Sequence, residues 1–256
     1  MKIGIIGCGS IATIITKFAQ KGKVNVDPKF FYDVSEEKSI KLAEVINGEA
    51  VKTPKELIEK SDLIVETASQ QAAKKIIPQV LESGKDAIIL SSGALLDIEF
   101  LKKIKKISKE NNSQFYIPTG AISGIDAVKA ASMGEISEIT LTTTKPPHSL
   151  GVEVKNNNPK ILFEGNASKA VQEFPMNVNV AAVLSLASEK NVKVRIVADP
   201  NIQYNTHEIH VKGDFGEINT KIQNKSCSNN PKTSALAAYS TAQLLNRIND
   251  NFKIGT

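Results

Sequence analysis

The sequence predicts an α/β protein in two parts. Residues 1–118 read as a doubly wound parallel sheet, and residues 119–230 as an α+β domain with a mostly antiparallel sheet. Two observations lead there. Up to Pro118, short apolar β-branched runs alternate with amphipathic stretches, which is the pattern of parallel β-α-β units. Beyond Pro118 the strand-like runs lengthen and fill with threonine.

In the first part "KIGII" (2–6) is a buried strand ended by glycine, and residues 10–20 follow as an amphipathic helix. "KFFYD" (29–33) closes a second strand at Asp33, after which Ser35 is placed to cap a helix that stops near Asn47–Gly48. "DLIVET" (62–67), "DAIILSS" (86–92) and "QFYIP" (114–118) supply three more strands, separated by helices near 70–83 and 97–110. In the second part "EISEITLTTTKPP" (135–147) and "PKILFEG" (159–165) are strands. "NVKVRIVAD" (191–199), "QYNTHEIHVKG" (203–213) and "DFGEINTKIQ" (214–223) suggest neighbouring antiparallel strands, the last two joined by a tight turn at Gly213–Asp214. Helices fall near 167–173 and 178–189, the second apolar almost all round and therefore buried. A last helix, near 233–249 within the segment 231–256, is expected to return to the first part.

Composition narrows the function classes. The chain has 256 residues, is 41% hydrophobic and carries a formal charge of +5. Much of the positive excess lies in "LKKIKKISKE", where Leu101, Ile104 and Ile107 form an apolar stripe and the lysines face elsewhere. That is a solvated helix face, with no interleaved aromatic residues or recognition motif for nucleic acid. No apolar run reaches the roughly 18 residues of a membrane span, and "MKIGIIGCGS" is no signal peptide, so a cytoplasmic protein is expected. Cys8 and Cys227 make no disulfide framework and no zinc spacing.

The first strand runs into Gly7-x-Gly9-x-x-Ala12, a G-x-G-x-x-A dinucleotide fingerprint. Gly7 allows the tight turn, Gly9 lets a pyrophosphate approach the backbone, and Ala12 keeps the helix close to its strand. Ser10 and Ile11 contribute N–H groups at the positive end of the helix. With this loop the first part reads as a Rossmann domain. Asp33, at the end of the next strand, is the candidate for the adenosine ribose hydroxyls. An acid there repels a 2′-phosphate, which favours NAD, while nearby Lys38 keeps NADP within reach. The other strand ends carry small residues that admit a flat ligand, among them Ala68, Ser69, Ser92 and Gly93.

The chain has three histidines, His148, His207 and His210. In an extended 203–211, His207 shares a face with Asn205, Ile209 and Val211, whereas His210 shares the polar face with Glu208. His148 lies in a proline-rich turn. His207 is therefore the candidate acid–base group, although a histidine on an apolar face is commonly a hydrogen-bonded core residue.

Several segments, in order along nearly the whole chain, resemble the L-aspartate dehydrogenase family: "ETASQQA" (66–72), "LSSGAL" (90–95), "GAISGIDA" (120–127), "FEGNASKAVQEFP" (163–175), "NVNVAA" (177–182), "NTHEI" (205–209) and "NPKTSALAA" (230–238). The resemblance implies a Rossmann domain followed by a dimer-forming α/β domain, and so a homodimer. It implies NAD(P)-dependent oxidation of L-aspartate to iminoaspartate, which hydrolyses to oxaloacetate and ammonia or feeds NAD biosynthesis. It places the active-site histidine on His207, nicotinamide-side contacts on Ala121 and Asn177, and a substrate neighbour on Asn179. A dicarboxylate needs cations or N–H donors; Lys145, Arg195 and Lys232 are candidates, with Thr233 beside Lys232 at a helix start. Asp199 and Glu208 are candidate partners for the imidazole. Met176 stands where the family often has lysine. The alternatives are a dihydrodipicolinate-reductase-like or homoserine-dehydrogenase-like enzyme, and a non-catalytic NAD-binding sensor.

Overall fold

A computed structural model describes residues 1–154, 157–174, 178–227 and 230–254, with Pro231 and Lys232 described for backbone only. The chain divides into two compact units, residues 1–118 with 237–253, and residues 119–236 with 254–256.

Unit 1 is built on six parallel strands in the order β3-β2-β1-β4-β5-β6. They are β1 (Lys2–Ile6), β2 (Asp27–Tyr32), β3 (Glu49–Ala50), β4 (Leu63–Glu66), β5 (Asp86–Ile89) and β6 (Phe115–Tyr116). Helices α1 (Ser10–Gln20), α2 (Glu36–Glu44), α3 (Pro54–Lys60), α4 (Gln70–Glu82) and α5 (Ile98–Glu110) connect them, with a short 3-10 turn at Ser92–Leu96. β1 lies between β2 and β4, so the chain order reverses beside it and the Gly7–Ala12 loop opens at that switch point. Ile3, Ile5, Phe31, Leu63, Val65 and Ile88 form the core, and Ala242 and Leu245 pack into it. The last two belong to α10 (Ala235–Asn249). Its Asn246 side chain accepts from the Asn25 N–H and donates to the Lys23 carbonyl. The "QFYIP" strand shrinks to two residues in β6. Ser35 holds the N-cap position of α2, but its hydroxyl makes no capping bond. α3 was not foreseen, although Thr53 accepts from the Glu56 N–H and Glu56 accepts from the Lys52 N–H. A threonine N-cap followed by proline at N1 is the helix start readable in T-P-K-E.

Unit 2 holds α6 (Ile125–Ala131), β7 (Ile136–Lys145), α7 (Pro147–Leu150), β8 (Lys160–Asn166), α8 (Ala167–Glu173) and α9 (Asn179–Ser188). After these come β9 (Lys193–Ala198), β10 (Asn205–Gly213), β11 (Gly216–Asn224), β12 (Ser226–Cys227) and β13 (Asn230–Ser234). The main sheet runs β11-β10-β7-β9-β8. β7 therefore separates β9 from β10, against the expectation that residues 191–199 and 203–213 are neighbours; β9 pairs in parallel with β7. The β10–β11 turn sits at Asp214–Phe215, one residue later than expected, between the paired Gly213 and Gly216. Gly216 has φ +114°, a value that favours glycine. α8 packs on β8 and β9, and α9 packs against α6 and α8 with most of its surface buried.

One face of this sheet is closed and the other polar. Leu141, Thr143 and Lys145 on β7 and Asn205, His207, Ile209 and Val211 on β10 are all buried. The opposite face presents Thr140, Thr142, Glu208, His210, Asn219 and Lys221 around a shallow hollow.

Candidate active site

Gly7 donates its N–H to the Tyr32 carbonyl at 2.8 Å and takes φ +87°. A Cβ there would come within 2.7 Å of the Ala68 Cα, so both conformation and space demand glycine. Gly9 differs: a Cβ would meet nothing within 4 Å, so the protein's own packing does not require glycine there. A diphosphate laid against that open side would. Gly9 is the N-cap of α1 and offers no side-chain acceptor, which leaves the first-turn N–H groups around Ser10, Ile11 and Ala12 for an anion. Ala12 is fully buried. The loop thus fits a dinucleotide.

Asp33 lies at the end of β2 and accepts from the Cys8 N–H at 2.7 Å and the Ser35 N–H at 2.8 Å. These use about half of a carboxylate's acceptor sites, and the remainder suits ribose hydroxyls. The same carboxylate and, above all, burial push the Cys8 thiol up to about 12. Ala68 and Ser69 are exposed at the end of β4, and the Ser69 hydroxyl caps α4 by accepting from the Ala72 N–H at 3.2 Å. Ser92 and Gly93 are buried inside the 3-10 turn. Sequence reading missed Glu66. Fully buried, it accepts from the Ala68 N–H at 2.8 Å, the Ser91 N–H at 3.0 Å and the Ser91 hydroxyl at 2.8 Å. Burial raises its pKa while these donors pull it back. Its carboxylate ties together the loops that follow β4 and β5.

In unit 2, His207 pairs across the sheet with Thr143, and its Nδ1 lies 3.0 Å from the Thr143 hydroxyl. That contact orients the ring and leaves Nε2 as the nitrogen to meet a ligand. His207 is only 2% exposed. Burial, and secondarily the charge of Lys145, push its pKa down to about 3. Two residues farther along β7, on the same face, Lys145 is 4% exposed, and burial pushes its pKa down to about 8. Two residues back along β10 lies Asn205, 1% exposed, whose amide has no hydrogen-bond partner among the described residues. Asn205 pairs with Asn224 of β11, and the Asn224 amide donates to the Ala121 carbonyl at 2.9 Å. One end of the sheet therefore gathers Thr143, Lys145, Asn205, His207 and Asn224, with the Ala121 backbone tied to it.

Other candidates fall elsewhere. His210 lies on the polar face, with Nδ1 2.8 Å from the Asn219 side-chain oxygen, and His148 is exposed in α7. Arg195 points outward and pairs with Glu164 at 3.0 Å. Glu208 pairs with Lys221 at 2.9 Å, and Asp199 accepts from the Asn201 N–H, so neither holds the His207 ring. Asn179 is half-buried at the start of α9, and Thr233 is half-buried on β13. Asn177, Met176 and the Lys232 side chain lie outside the described residues. Both cysteines are free thiols. No helix among the described residues is long and apolar enough to cross a membrane.

Comparison with known proteins points the same way for both units. The family profile for the C-terminal part of aspartate dehydrogenase matches residues 126–248, and that for the NAD-binding domain of homoserine dehydrogenase matches residues 7–118. An L-aspartate dehydrogenase of Methanothermobacter thermautotrophicus is 46% identical over 256 residues, covering 100% of this chain and 99% of its own length. One from Methanococcus maripaludis is 45% identical, with 100% of both chains covered. The crystal structure of aspartate dehydrogenase from Thermotoga maritima superposes with a TM-score of 0.81 at 26% identity, over 100% of this chain and 99% of that one. A Bordetella pertussis dehydrogenase in complex with NADH and UDP-GlcNAcA shares the fold alone, with a TM-score of 0.58 at 12% identity over 98% of this chain and 89% of that one. The chain belongs to the L-aspartate dehydrogenase family.

Proposed function

We propose that this chain is an L-aspartate dehydrogenase that oxidises the amine-bearing carbon of L-aspartate to iminoaspartate, which hydrolyses to oxaloacetate and ammonia. The observation that carries this reading is the buried His207, oriented by Thr143, in a chain 46% identical to an L-aspartate dehydrogenase over its full length. When bound, the dinucleotide supplies the acceptor for the hydride leaving the substrate Cα.

The chain's own residues do the rest. Gly7, Gly9 and the first-turn N–H groups of Ser10, Ile11 and Ala12 take the diphosphate, and Asp33 takes the ribose hydroxyls, which favours NAD over NADP. Ala68 lies against Gly7, with Ser69 next to it in the chain, and Ser92 and Gly93 sit buried in the turn after β5. By family likeness Ala121 and Asn177 hold the nicotinamide side; Asn179 joins the substrate side as their neighbour in the chain, and Lys232 and Thr233 as a cation and a hydroxyl just before α10. His207 removes a proton from the substrate ammonium, which frees the nitrogen lone pair as hydride leaves. It then exchanges protons with the water that adds to the imine carbon. A histidine with pKa near 3 is a poor base in the free protein. Two substrate carboxylates entering that dry environment raise it, so the base becomes competent as the substrate seats.

We also propose a homodimer formed through the threonine-rich open face of the unit 2 sheet, and a cytoplasmic location, which suits two free thiols. The direct test of activity is NAD reduction by L-aspartate, and NADH oxidation by oxaloacetate with ammonium, using His207→Ala as control. Absence of turnover in both directions overturns the assignment, and equal rates in the variant remove His207 from it. Light scattering at several concentrations checks the dimer.

A further inference from the structure

We propose that Glu66 is a positioning residue for the dinucleotide: its buried carboxylate fixes the loops after β4 and β5 against the Gly7 loop and so sets cofactor affinity. This rests on the reading of the Gly7–Ala12 loop as the dinucleotide site.

β4 ends on an acid set in an apolar row. Leu63, Ile64 and Val65 are fully buried, and so is Glu66 after them. Its neighbours across the sheet are the buried Ile6 on β1 and Ile89 on β5. A carboxylate in such a place is costly unless its oxygens are matched. Oε1 accepts from the Ala68 N–H and the Ser91 hydroxyl, both at 2.8 Å, and Oε2 accepts from the Ser91 N–H at 3.0 Å. The Ser69 N–H is a further donor. The three N–H groups can only donate, so the ionised carboxylate is the form that fits them. These donors fill its acceptor sites. Any effect of Glu66 on a bound dinucleotide must therefore pass through the loops it holds.

Those loops reach the fingerprint directly. Ala68 is the residue that a Cβ on Gly7 would strike, 2.7 Å from its Cα and 2.8 Å from its nitrogen. The N–H of that same Ala68 is held by Glu66. Between the two, Thr67 donates its hydroxyl to the Gly7 carbonyl and its N–H to the Ile6 carbonyl. β1, β4 and β5 are adjacent in the sheet, and the loops at their carboxyl ends are thus joined in one run of contacts from Gly7 through Ala68 and Glu66 to Ser91. A dinucleotide lies along that edge of a doubly wound sheet. Glu66→Gln keeps the size but turns an NH2 group against backbone N–H donors, so Ala68 or Ser91 must shift. A shift of Ala68 moves the wall on which Gly7 rests.

The test uses the full-length protein and follows nicotinamide fluorescence as NADH or NADPH, whichever wild type binds more tightly, is titrated in. Wild type is compared with Glu66→Gln, Ser91→Ala and Ser61→Ala. Ser61 is buried just before β4, at its other end, where its hydroxyl donates to the Leu57 carbonyl at 2.7 Å, so it controls for lost stability. Lost stability alone leaves affinity unchanged while the protein stays folded, which circular dichroism checks. Glu66→Gln should raise the dinucleotide Kd and KM on the order of 10- to 100-fold, with kcat at saturating cofactor within about twofold. Ser91→Ala, which removes one donor of the set, should raise Kd about threefold, and Ser61→Ala should leave it unchanged. In the cofactor-free protein, amide hydrogen exchange should quicken at Ala68 and Ser91 in Glu66→Gln and not in Ser61→Ala. A Kd unchanged in Glu66→Gln, or raised as much in Ser61→Ala, overturns the proposal; so does a fall in kcat with KM for the dinucleotide unchanged. If Glu66→Gln does not fold, Ser91→Ala decides: a raised Kd supports the proposal, and a Kd equal to wild type overturns it. A wild type that binds neither dinucleotide sinks the reading of the Gly7 loop and the proposal together, whereas wild-type binding matched by Glu66→Gln sinks the proposal alone.

Discussion

The loop after β1 presents backbone to its ligand, whereas the sheet end around His207 presents buried side chains. At Gly7 and Gly9 the protein works by leaving atoms out: one glycine fits against Ala68, the other opens to solvent. Around His207 it works by burying a lysine, a histidine and two asparagines, each taken out of water. The first arrangement costs the fold little. The second holds Lys145 and His207, whose charged forms burial disfavours. The contrast teaches that the loop after β1 is specified by shape, while the end of the sheet around His207 is specified by what it takes out of water.

That contrast can be broken at defined places. The largest effect is expected for His207→Ala, which should lower kcat by about 10²–10⁴-fold while NADH affinity stays nearly the same; NADH fluorescence titration checks the second half. Next, Gly7→Ala drives a Cβ into Ala68 at a positive φ and should raise KM for NAD on the order of 100-fold and lower Tm, with oxaloacetate KM little changed. Gly9→Ala has room and should leave Tm unchanged while raising KM for NAD several-fold; a drop in Tm would show that Gly9 serves packing. Glu66→Gln puts an amide N–H against its donors and should cost about 1–3 kcal/mol in urea unfolding.

The smallest effects are on stability and concern the buried bases. Lys145 has a folded pKa of about 8 against an ordinary 10.5, so its penalty is full below pH 8 and fades as pH rises to 10.5. Lys145→Met should therefore gain about 1–3 kcal/mol at pH 7, and the gain should vanish near pH 10.5. His207, at about 3 against 6.5, makes wild type lose stability as pH falls from 6.5 toward 3, by about 1.4 kcal/mol per unit, and His207→Gln should lessen that loss. Thermal melts across pH check both.

How legible each region was in the sequence follows the same divide. Strands such as β1, β4 and β5 are continuous apolar runs, and the fingerprint is local in sequence, so unit 1 could be read from its residues. Glu66 could not, because a glutamate ending an apolar strand looks like a solvated terminus until its donors are in place. In unit 2, alternation along β10 placed Asn205 and His207 on one face. The company they keep could not be read, since Lys145 and Asn224 arrive from strands whose order depends on β7 inserting between β9 and β10. The low pKa of His207 could not be read either, because it comes from burial, a property of the whole pocket and not of the "NTHEI" segment.

The return of α10 to unit 1 has a consequence for how the chain matures. Ala242 and Leu245 complete a core otherwise made of residues before Pro118. Emerging from a ribosome, the nucleotide-binding half must wait, its hydrophobic groove unfilled, until more than a hundred residues of the intervening unit have been synthesised. The inserted unit, nearly all of it in the single stretch 119–236, faces no such delay and can close its core before α10 is made.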